Sequence, residues 1–221
     1  MKLYIVPTPI GNLEDITLRA LRVLKEADFV LCEDTRTTKN LLRHYEMDKR
    51  CYAYHIFNEH QQVANLVNMI KIAGSVALTS DAGTPGISDP GFLLIRECLA
   101  ADIKVECLPG ATALIPALVN SGLPADKFYF HGFLPHKKGK ETTLKMLAER
   151  DETVIFYESP FRLVKTLEMM LHIFGEGRQI SVARELTKIH EENFRGTVAE
   201  AVSHFSEKEV KGEIVVVVKG K

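Results

Sequence analysis

The sequence predicts an α/β fold with two α/β domains, the first a parallel sheet covered by helices, and a ligand cleft between them. Short apolar segments alternate with amphipathic helical segments through the first half of the chain. The pattern changes after residue 122, and polar or glycine-rich loops follow most of the apolar segments. The chain has 221 residues, 46% of them hydrophobic and 26% charged, a globular composition with enough length for two small domains.

The first half supports the parallel sheet. Short apolar segments are the predicted strands: residues 2–6, 27–33, 75–79 and 104–108. Helical segments stand between or after them: residues 16–27, 37–46, 58–73 and 92–101. In the first helical segment, Ile16, Leu18, Leu21 and Leu24 are apolar, and charged residues lie on the opposite side. In HIFNEH (residues 55–60), Asn58 is predicted to cap the third helical segment, and a contact with the substrate is the alternative.

The second half begins near residues 122–124, giving predicted domains of residues 1–122 and 123–221. Its first segment, residues 131–141, is polar and basic and is predicted to be a loop. Strands are predicted at residues 153–157, 179–183, 190–195 and 212–220. Helices are predicted at residues 160–174 and 198–205.

Composition excludes several classes of protein. No apolar run approaches the roughly 18 residues that span a bilayer, and the N-terminus is too weakly apolar for a signal peptide. We therefore expect a cytoplasmic protein without a membrane partner. The four cysteines are scattered, so neither a metal site nor a disulfide framework is predicted. A net charge of −1 argues against nucleic-acid binding over the whole surface, although a local basic face is compatible with it.

Polar loops follow the predicted strands at six places. They are PTPIGN (residues 7–12), EDTRTT (33–38), SDAGTPGISDPG (80–91), PGATALIPAL (109–118), YESPFR (157–162) and ARELTK (183–188). Each loop alone is typical of a turn or a helix cap. Open parallel sheets bind ligands beyond the carboxyl ends of their strands, so the six loops together predict a ligand site.

Familiar nucleotide and hydrolase motifs are missing from the sequence. No G-x-G-x-x-G follows the first strand, and the sequence has no G-x-x-x-x-G-K-[ST], H-E-x-x-H or G-x-S-x-G. A dinucleotide site, a P-loop ATPase, a zinc protease and a serine hydrolase are therefore not supported.

In their order along the chain, the loops resemble those of the tetrapyrrole-methylase-like (class III) methyltransferases, from Lys2 to about Lys219. The motifs PTPIGN, EDTR and SDAGTPGISDPG are similar to the branch that acts on ribosomal RNA. The porphyrinoid methylases have a shorter glycine–aspartate–proline loop at the fourth strand. The resemblance implies S-adenosylmethionine bound between two α/β domains, usually in a homodimer. It also implies 2′-O-methylation of a cytidine in the decoding region of 16S ribosomal RNA or the small ribosomal subunit.

The resemblance also implies which residues bind the cofactor: Pro7, Thr8, Pro9, Gly83, Thr84, Pro85, Ile87, Ser88, Thr112, Ala113, Tyr157 and Leu186. Gly83 and Gly86 can adopt a positive φ, which lets a backbone approach a ligand closely. Asp34, Glu158 and Glu185 are candidates for the group that accepts the ribose proton, because a hydroxyl needs a base within hydrogen-bond reach. Arg36 and Arg184 are candidate clamps for phosphate or carboxylate. A structural ion pair is the alternative for each.

Two basic clusters, residues 136–140 and 36–44, are candidates for contact with RNA, and the alternative is a solvated surface. Two other functions share these features. One is a small-molecule methyltransferase of porphyrinoid type, with the same fold and cofactor. The other is a non-catalytic RNA-binding module that has no affinity for S-adenosylmethionine.

Overall fold

The computed structural model describes residues 1–55, 59–207 and 209–221, so the predicted cap Asn58 lies outside the described residues. The chain forms two compact units, Met1–Thr112 and Ala113–Lys221. Helix α5 (Leu114–Ser121), which the predicted boundary assigns to the first domain, packs on the second sheet. Its buried face carries Leu114, Ala117 and Leu118, which explains why it belongs to the second unit. No helix in the described ranges is long and apolar enough to cross a membrane.

The first unit contains five parallel strands in the order β3-β2-β4-β1-β5. They are β1 (Lys2–Ile5), β2 (Phe29–Cys32), β3 (Cys51–Ala53), β4 (Ser75–Thr79) and β5 (Lys104–Cys107). Strand β3 is not among the predicted strands, because its three residues, Cys51–Ala53, are fewer than the four to eight that mark a strand in a sequence. The register pairs Ile5 with Leu78 and with Cys107, so these strands end at one edge.

Helices cover both faces of this sheet, as the sequence predicts. They are α1 (Leu18–Glu26), α2 (Thr35–His44), α3 (Glu59–Ile72) and α4 (Phe92–Ala100). Helices α1 and α2 share one apolar core with Val30 and Ala77, whereas α3 and α4 share another with Leu3 and Leu78. Leu18, expected on the apolar side of α1, is exposed, because the buried face of this helix begins at Ala20. The predicted α/β class with a helix-covered parallel sheet is confirmed.

The second unit is built on a mixed sheet with the order β6-β7-β10-β8-β9. Its strands are β6 (Phe128–Phe133), β7 (Thr153–Glu158), β8 (Gln179–Arg184), β9 (Glu192–Thr197) and β10 (Ile214–Val218). Strands β6 and β7 are parallel, and β10 is antiparallel to both β7 and β8. The carboxyl ends of β6, β7 and β8 therefore lie at one edge of the sheet.

Helices α6 (Lys140–Ala148), α7 (Leu163–Phe174) and α8 (Val198–Ser206) complete the second unit. All five residues of β10 are buried, which agrees with their uninterrupted Ile-Val sequence. The prediction of a polar loop over residues 131–141 was wrong at both ends. It overlaps the end of β6 and the start of α6, and its last lysine, Lys140, is buried.

Candidate functional site

Backbone hydrogen bonds join the loops at the carboxyl edge of the first sheet. Thr8 N–H donates to the Gly83 carbonyl at 2.9 Å, and Gly83 N–H donates to the Thr8 carbonyl at 2.9 Å. The Thr84 hydroxyl donates to the Ala111 carbonyl at 2.9 Å. The loops after β1, β4 and β5 are therefore held together as one structural assembly.

Glycine is required at two places in this assembly. Gly83 has a φ of +79°, in the left-handed region that side chains disfavour. A Cβ on Gly110 would stand 2.6 Å from the Cβ of Pro7, so the two loops touch where the glycine has no side chain. The expected positive φ at Gly83 and Gly86 is observed. Glycine therefore lets the chain turn at residue 83 and lets two loops touch at residue 110.

The hydroxyls of Thr8 and Ser80 point into the assembly. Thr8 Oγ1 donates to the Ser80 carbonyl at 3.1 Å, and Ser80 Oγ is 3.2 Å from the Ala82 carbonyl and 3.3 Å from that of Gly83. Both residues are almost completely buried. Their hydroxyls therefore stabilise the turn after β4.

A groove of about 290 Å³ lies beside this assembly within the first unit. The loop after β1, helix α2 and the first residues after β4 form its walls. It is lined by Thr8, Pro9, Gly11, Leu13, Thr37, Thr38, Asn40, Leu41, His44, Ser80 and Asp81. The lining contains both apolar and hydrogen-bonding groups, which is typical of a site for a small polar organic group.

Asp34 lies at the end of β2 and caps helix α2. Its Oδ1 accepts the Arg36 backbone N–H at 2.7 Å, and the Arg36 side chain donates to both carboxylate oxygens, the shortest contact being 2.6 Å from Nη2 to Oδ2. The hydrogen bonds from Arg36 lower the pKa of Asp34 to about 2. Asp34 is therefore ionised and already paired.

Asp81 is a further site residue, which is not among the residues predicted from the sequence. It lines the groove, and its Oδ1 accepts the Asp34 backbone N–H at 3.1 Å. Burial and the neighbouring Asp34 charge raise the pKa of Asp81, although the bond from the Asp34 N–H acts in the opposite direction. Burial and the charge of Asp81 likewise raise the pKa of Glu33. The signal was available in the sequence, since Asp81 follows strand β4 almost directly, as Asp34 follows β2.

In the second unit, Glu158 is enclosed in a network of charged and polar groups. Its Oε2 accepts from Lys140 Nζ and Thr166 Oγ1, both at 2.6 Å. Its Oε1 accepts from Arg162 Nε at 3.0 Å and from the Ser159 N–H at 2.8 Å. Burial acts to raise the pKa of Glu158, but the bonds from Lys140, Thr166 and Ser159 outweigh it and hold the pKa below its usual range.

Arg184 and Glu185 are also engaged in local pairs. Arg184 Nε donates to Glu192 Oε2 at 2.9 Å. Glu185, with a φ of +53°, accepts from Lys188 Nζ at 2.8 Å and from the Glu213 N–H at 2.9 Å. Burial opposes these bonds, yet the pKa of Glu185 is lowered. The two residues fix the turn after β8 against the start of β10.

The remaining predicted cofactor residues divide between the units. Those of the first unit lie in the joined loops or just after them: Pro7, Thr8, Pro9, Gly83, Thr84, Pro85, Ile87, Ser88 and Thr112. Ala113 is the N-cap of α5, Leu186 is buried, and Tyr157 packs edge-on against Phe130 and Phe133. Among the described residues, no group of three or more His, Cys, Asp or Glu side chains could hold a metal ion.

The family "Tetrapyrrole (Corrin/Porphyrin) Methylases" matches residues 2–202 of the chain. A Thermotoga maritima protein named "Ribosomal RNA small subunit methyltransferase I" is 47% identical over 220 residues, covering 100% of this chain and 99% of that protein. A protein of the same name from Hydrogenobaculum sp. is 48% identical over 98% of this chain and 95% of its own length.

Among solved structures, a uroporphyrin-III C-methyltransferase from Thermus thermophilus, complexed with S-adenosyl homocysteine, superposes with a TM-score of 0.68. It is 21% identical, and the alignment covers 99% of this chain and 97% of that one. At 21% identity the similarity shows a shared fold only, and that fold agrees with the two α/β units described above. The chain therefore belongs to the tetrapyrrole methylase family, in the branch of the ribosomal RNA small subunit methyltransferase I proteins.

Proposed function

We propose that this protein transfers a methyl group from S-adenosylmethionine to the ribose 2′-oxygen of a cytidine in the decoding region of 16S ribosomal RNA. One observation carries the proposal. Relatives named "Ribosomal RNA small subunit methyltransferase I" are 47% and 48% identical to this chain over almost its whole length. The sequence motifs that resemble this branch, PTPIGN, EDTR and SDAGTPGISDPG, all lie at the carboxyl edge of the first sheet.

The joined loops of the first unit fit the proposed cofactor. Gly83, which is buried, turns the loop after β4 at a positive φ, and Gly110, which is exposed, lets the loop after β5 lie against Pro7. Ile87, 40% exposed, offers an apolar contact beside them. We assign cofactor binding to Pro7, Thr8, Pro9, Gly83, Thr84, Pro85, Ile87, Ser88 and Thr112, with Ala113, Tyr157 and Leu186 from the second unit. When bound, S-adenosylmethionine supplies an electrophilic methyl group.

The chain's own contribution is to position the ribose and to accept its proton. We assign the acceptor role to Asp81, because it lines the groove and because partial desolvation and the neighbouring Asp34 charge raise its pKa. A base with a raised pKa holds a proton more firmly, which favours transfer from the hydroxyl as the new bond forms. Asp34 is a weaker base, and its N–H orients the Asp81 carboxylate. Glu158 and Glu185 are tied to other groups, so we assign them structural roles.

The test is transfer of labelled methyl from S-adenosylmethionine to small ribosomal subunits purified from a strain that lacks the modification. We expect label on one cytidine of 16S ribosomal RNA, resistant to alkaline cleavage at that position because the 2′-oxygen is blocked. Naked 16S ribosomal RNA in parallel shows whether the assembled subunit is needed. Label on a base, or on no RNA, would overturn the proposal.

A porphyrinoid-type methyltransferase is the second candidate, because the structural neighbour described above has this fold and carries that name. Incubating the protein with uroporphyrinogen III and labelled S-adenosylmethionine separates the two. Transfer to the porphyrinoid and not to RNA would favour the second candidate.

We further propose that the protein acts in the cytoplasm, where ribosomal subunits are, and as a homodimer. Sedimentation equilibrium at micromolar concentration tests the second point, with a mass near twice 24.8 kDa expected. A monomer mass over the whole concentration range would contradict it.

A further inference from the structure

We propose that one face of the second unit binds single-stranded RNA by stacking unpaired bases on two exposed phenylalanines. This face, the Phe133–Phe161 surface, consists of Phe133, His136, Lys137, Lys138 and Phe161. The inference rests on the proposed function and specifies which part of the second unit holds the RNA substrate.

The two phenylalanines lie in neighbouring loops. Strands β6 and β7 are parallel, and Phe133 at the end of β6 is paired in register with Tyr157 near the end of β7. The loop after β6 and the 3-10 helix Pro160–Arg162 after β7 therefore leave the same edge of the sheet. A contact between His136 Nδ1 and Arg162 Nη1 joins them.

Both rings are presented to solvent. Phe161 is 92% exposed and Phe133 is 53% exposed. Single exposed apolar residues are common on protein surfaces, but two aromatic rings in adjoining loops are not explained by packing. Phe133 also meets Tyr157 edge-on, with ring centroids 5.3 Å apart, which holds its ring in place. One face of each phenylalanine is thus available to a flat partner.

The charge around the rings is positive. Residues 133–140 contain His136, Lys137 and Lys138, all exposed, and no acidic residue. Lys140 differs from its neighbours, because its ammonium group is turned inward to Glu158. The basic cluster seen in the sequence therefore separates into two outward lysines and one buried anchor.

The buried network around Glu158 holds both of these loops in place. Glu158 receives hydrogen bonds from Lys140, at the end of the first loop, and from Arg162, at the end of the second. Both loops are therefore tied to one carboxylate. Residues held in this way lose less conformational entropy on binding than free loop residues.

Cations beside exposed aromatic rings match single-stranded nucleic acid better than another protein surface. Phosphates pair with the lysines, and any base can stack on a phenyl ring because every base has a π-face. A purely apolar partner would leave the lysine charges without a counterpart. Duplex RNA would keep its bases stacked within the helix, out of reach of the rings.

The experiment measures fluorescence anisotropy of a labelled single-stranded RNA with the decoding-region sequence, added to the full chain. We expect Phe161→Ala to weaken binding about 10-fold and Phe133→Ala about 5-fold, since loss of one base stack costs roughly 5- to 100-fold. The double variant Lys137→Gln, Lys138→Gln should release one to two fewer counterions on binding RNA. The slope of the logarithm of affinity against the logarithm of salt concentration should become shallower by that amount. A hairpin duplex of equal length should bind more weakly than the single strand.

Matched controls lie at the opposite end of β6. Phe128 is 41% exposed and Lys127 is exposed, so Phe128→Ala and Lys127→Gln remove the same groups from another edge. We expect wild-type RNA affinity for both. Circular dichroism and thermal unfolding should show that all variants remain folded, because the substituted side chains are exposed.

Methyl-transfer kinetics distinguish binding from chemistry. Phe161→Ala should raise KM for RNA with kcat nearly unchanged, and its affinity for S-adenosylmethionine should equal that of the wild type. Wild-type RNA affinity in both phenylalanine variants would overturn the surface and leave the proposed function intact. If the wild type is a dimer and Phe161→Ala is a monomer, the surface is an interface between copies of the chain, and that result would also overturn the proposed RNA-binding surface. A wild-type protein that neither binds nor methylates RNA would overturn both.

Discussion

Asp34 and Glu158 are a pair of carboxylates that the sequence presents in nearly the same way. Each stands at the end of a strand, with an arginine a few residues later, in EDTR and ESPFR. Asp34 meets Arg36 at the surface, where the arginine side chain is 88% exposed. The Glu158 side chain is fully buried, and a lysine from the start of α6 completes its partners. One sequence pattern therefore produces an exposed capped pair in one unit and a buried anchor in the other.

The two carboxylates differ in the charged and polar groups that the fold places beside them. Asp81 lies beside Asp34, and its pKa is raised by partial desolvation and by the negative charge of Asp34. Two cations and a hydroxyl surround Glu158, so its charge is balanced inside the fold. The two sites therefore differ in their neighbours, some of which are distant in sequence: Asp81 lies 47 positions from Asp34, and Lys140 lies 18 positions from Glu158.

Of the variants considered for this comparison, Glu158→Ala should cause the largest loss, a loss in the free energy of unfolding. It leaves the buried Lys140 ammonium without its carboxylate, and breaking a buried ion pair from one side costs about 3–5 kcal/mol. Urea unfolding followed by circular dichroism measures the change in the free energy of unfolding. Glu141→Ala, which removes an exposed partner of Lys145 on the same helix, is the matched control and should leave the midpoint unchanged. Equal midpoints for Glu158→Ala and the wild type would contradict a buried network.

Gly83→Val tests whether the loop after β4 forms part of the proposed cofactor site. Valine at a φ of +79° is strained, and strain of this kind costs about 1–3 kcal/mol where the surroundings hold it. We expect loss of measurable S-adenosylmethionine binding by isothermal titration calorimetry, because the loop must shift to relieve the strain. Gly177→Ala has no neighbour within 4 Å of its new Cβ and serves as the control. Unchanged affinity in Gly83→Val would remove this loop from the cofactor site.

Asp81→Asn should lower kcat for methyl transfer by about 10²- to 10⁴-fold if its carboxylate accepts the ribose proton. The loss should be largely in kcat, and the affinity for S-adenosylmethionine should stay near the wild-type value. Because the base must be ionised, wild-type activity should fall as pH drops through the raised pKa of Asp81. Asp34→Asn keeps a side-chain oxygen for the helix cap and should lose much less activity. A larger loss in Asp34→Asn than in Asp81→Asn would reverse our assignment of the base.

The sequence predicted what depends on local pattern. The apolar runs and helical periodicity located four of the five parallel strands, and the polar loops marked the edge of the sheet where β1, β2, β4 and β5 end. It did not locate β3, which is only three residues long and half-buried. It also could not foresee that Lys140 points inward, because only the fold brings this lysine to Glu158, 18 positions away. The role proposed for Asp81 likewise involves a contact with Asp34, 47 positions earlier, which only the fold creates.

The smallest expected effect is on stability in acid, which measures the contribution of the exposed Asp34–Arg36 pair independently of the buried Glu158 network. The folded pKa of Asp34 is about 2, below its ordinary value of 3.8. A lowered carboxylate pKa stabilises the folded state above the unfolded value, and this contribution is lost as pH falls from about 4 to 2. Asp34→Asn carries no such charge, so its thermal midpoint should lie slightly below the wild type at pH 6. The gap should narrow toward pH 2, because the Glu158 network remains in both proteins and cancels in the comparison. A gap that stays constant from pH 6 to pH 2 would show that the Asp34–Arg36 pair contributes nothing to folding, and that helix capping alone accounts for Asp34.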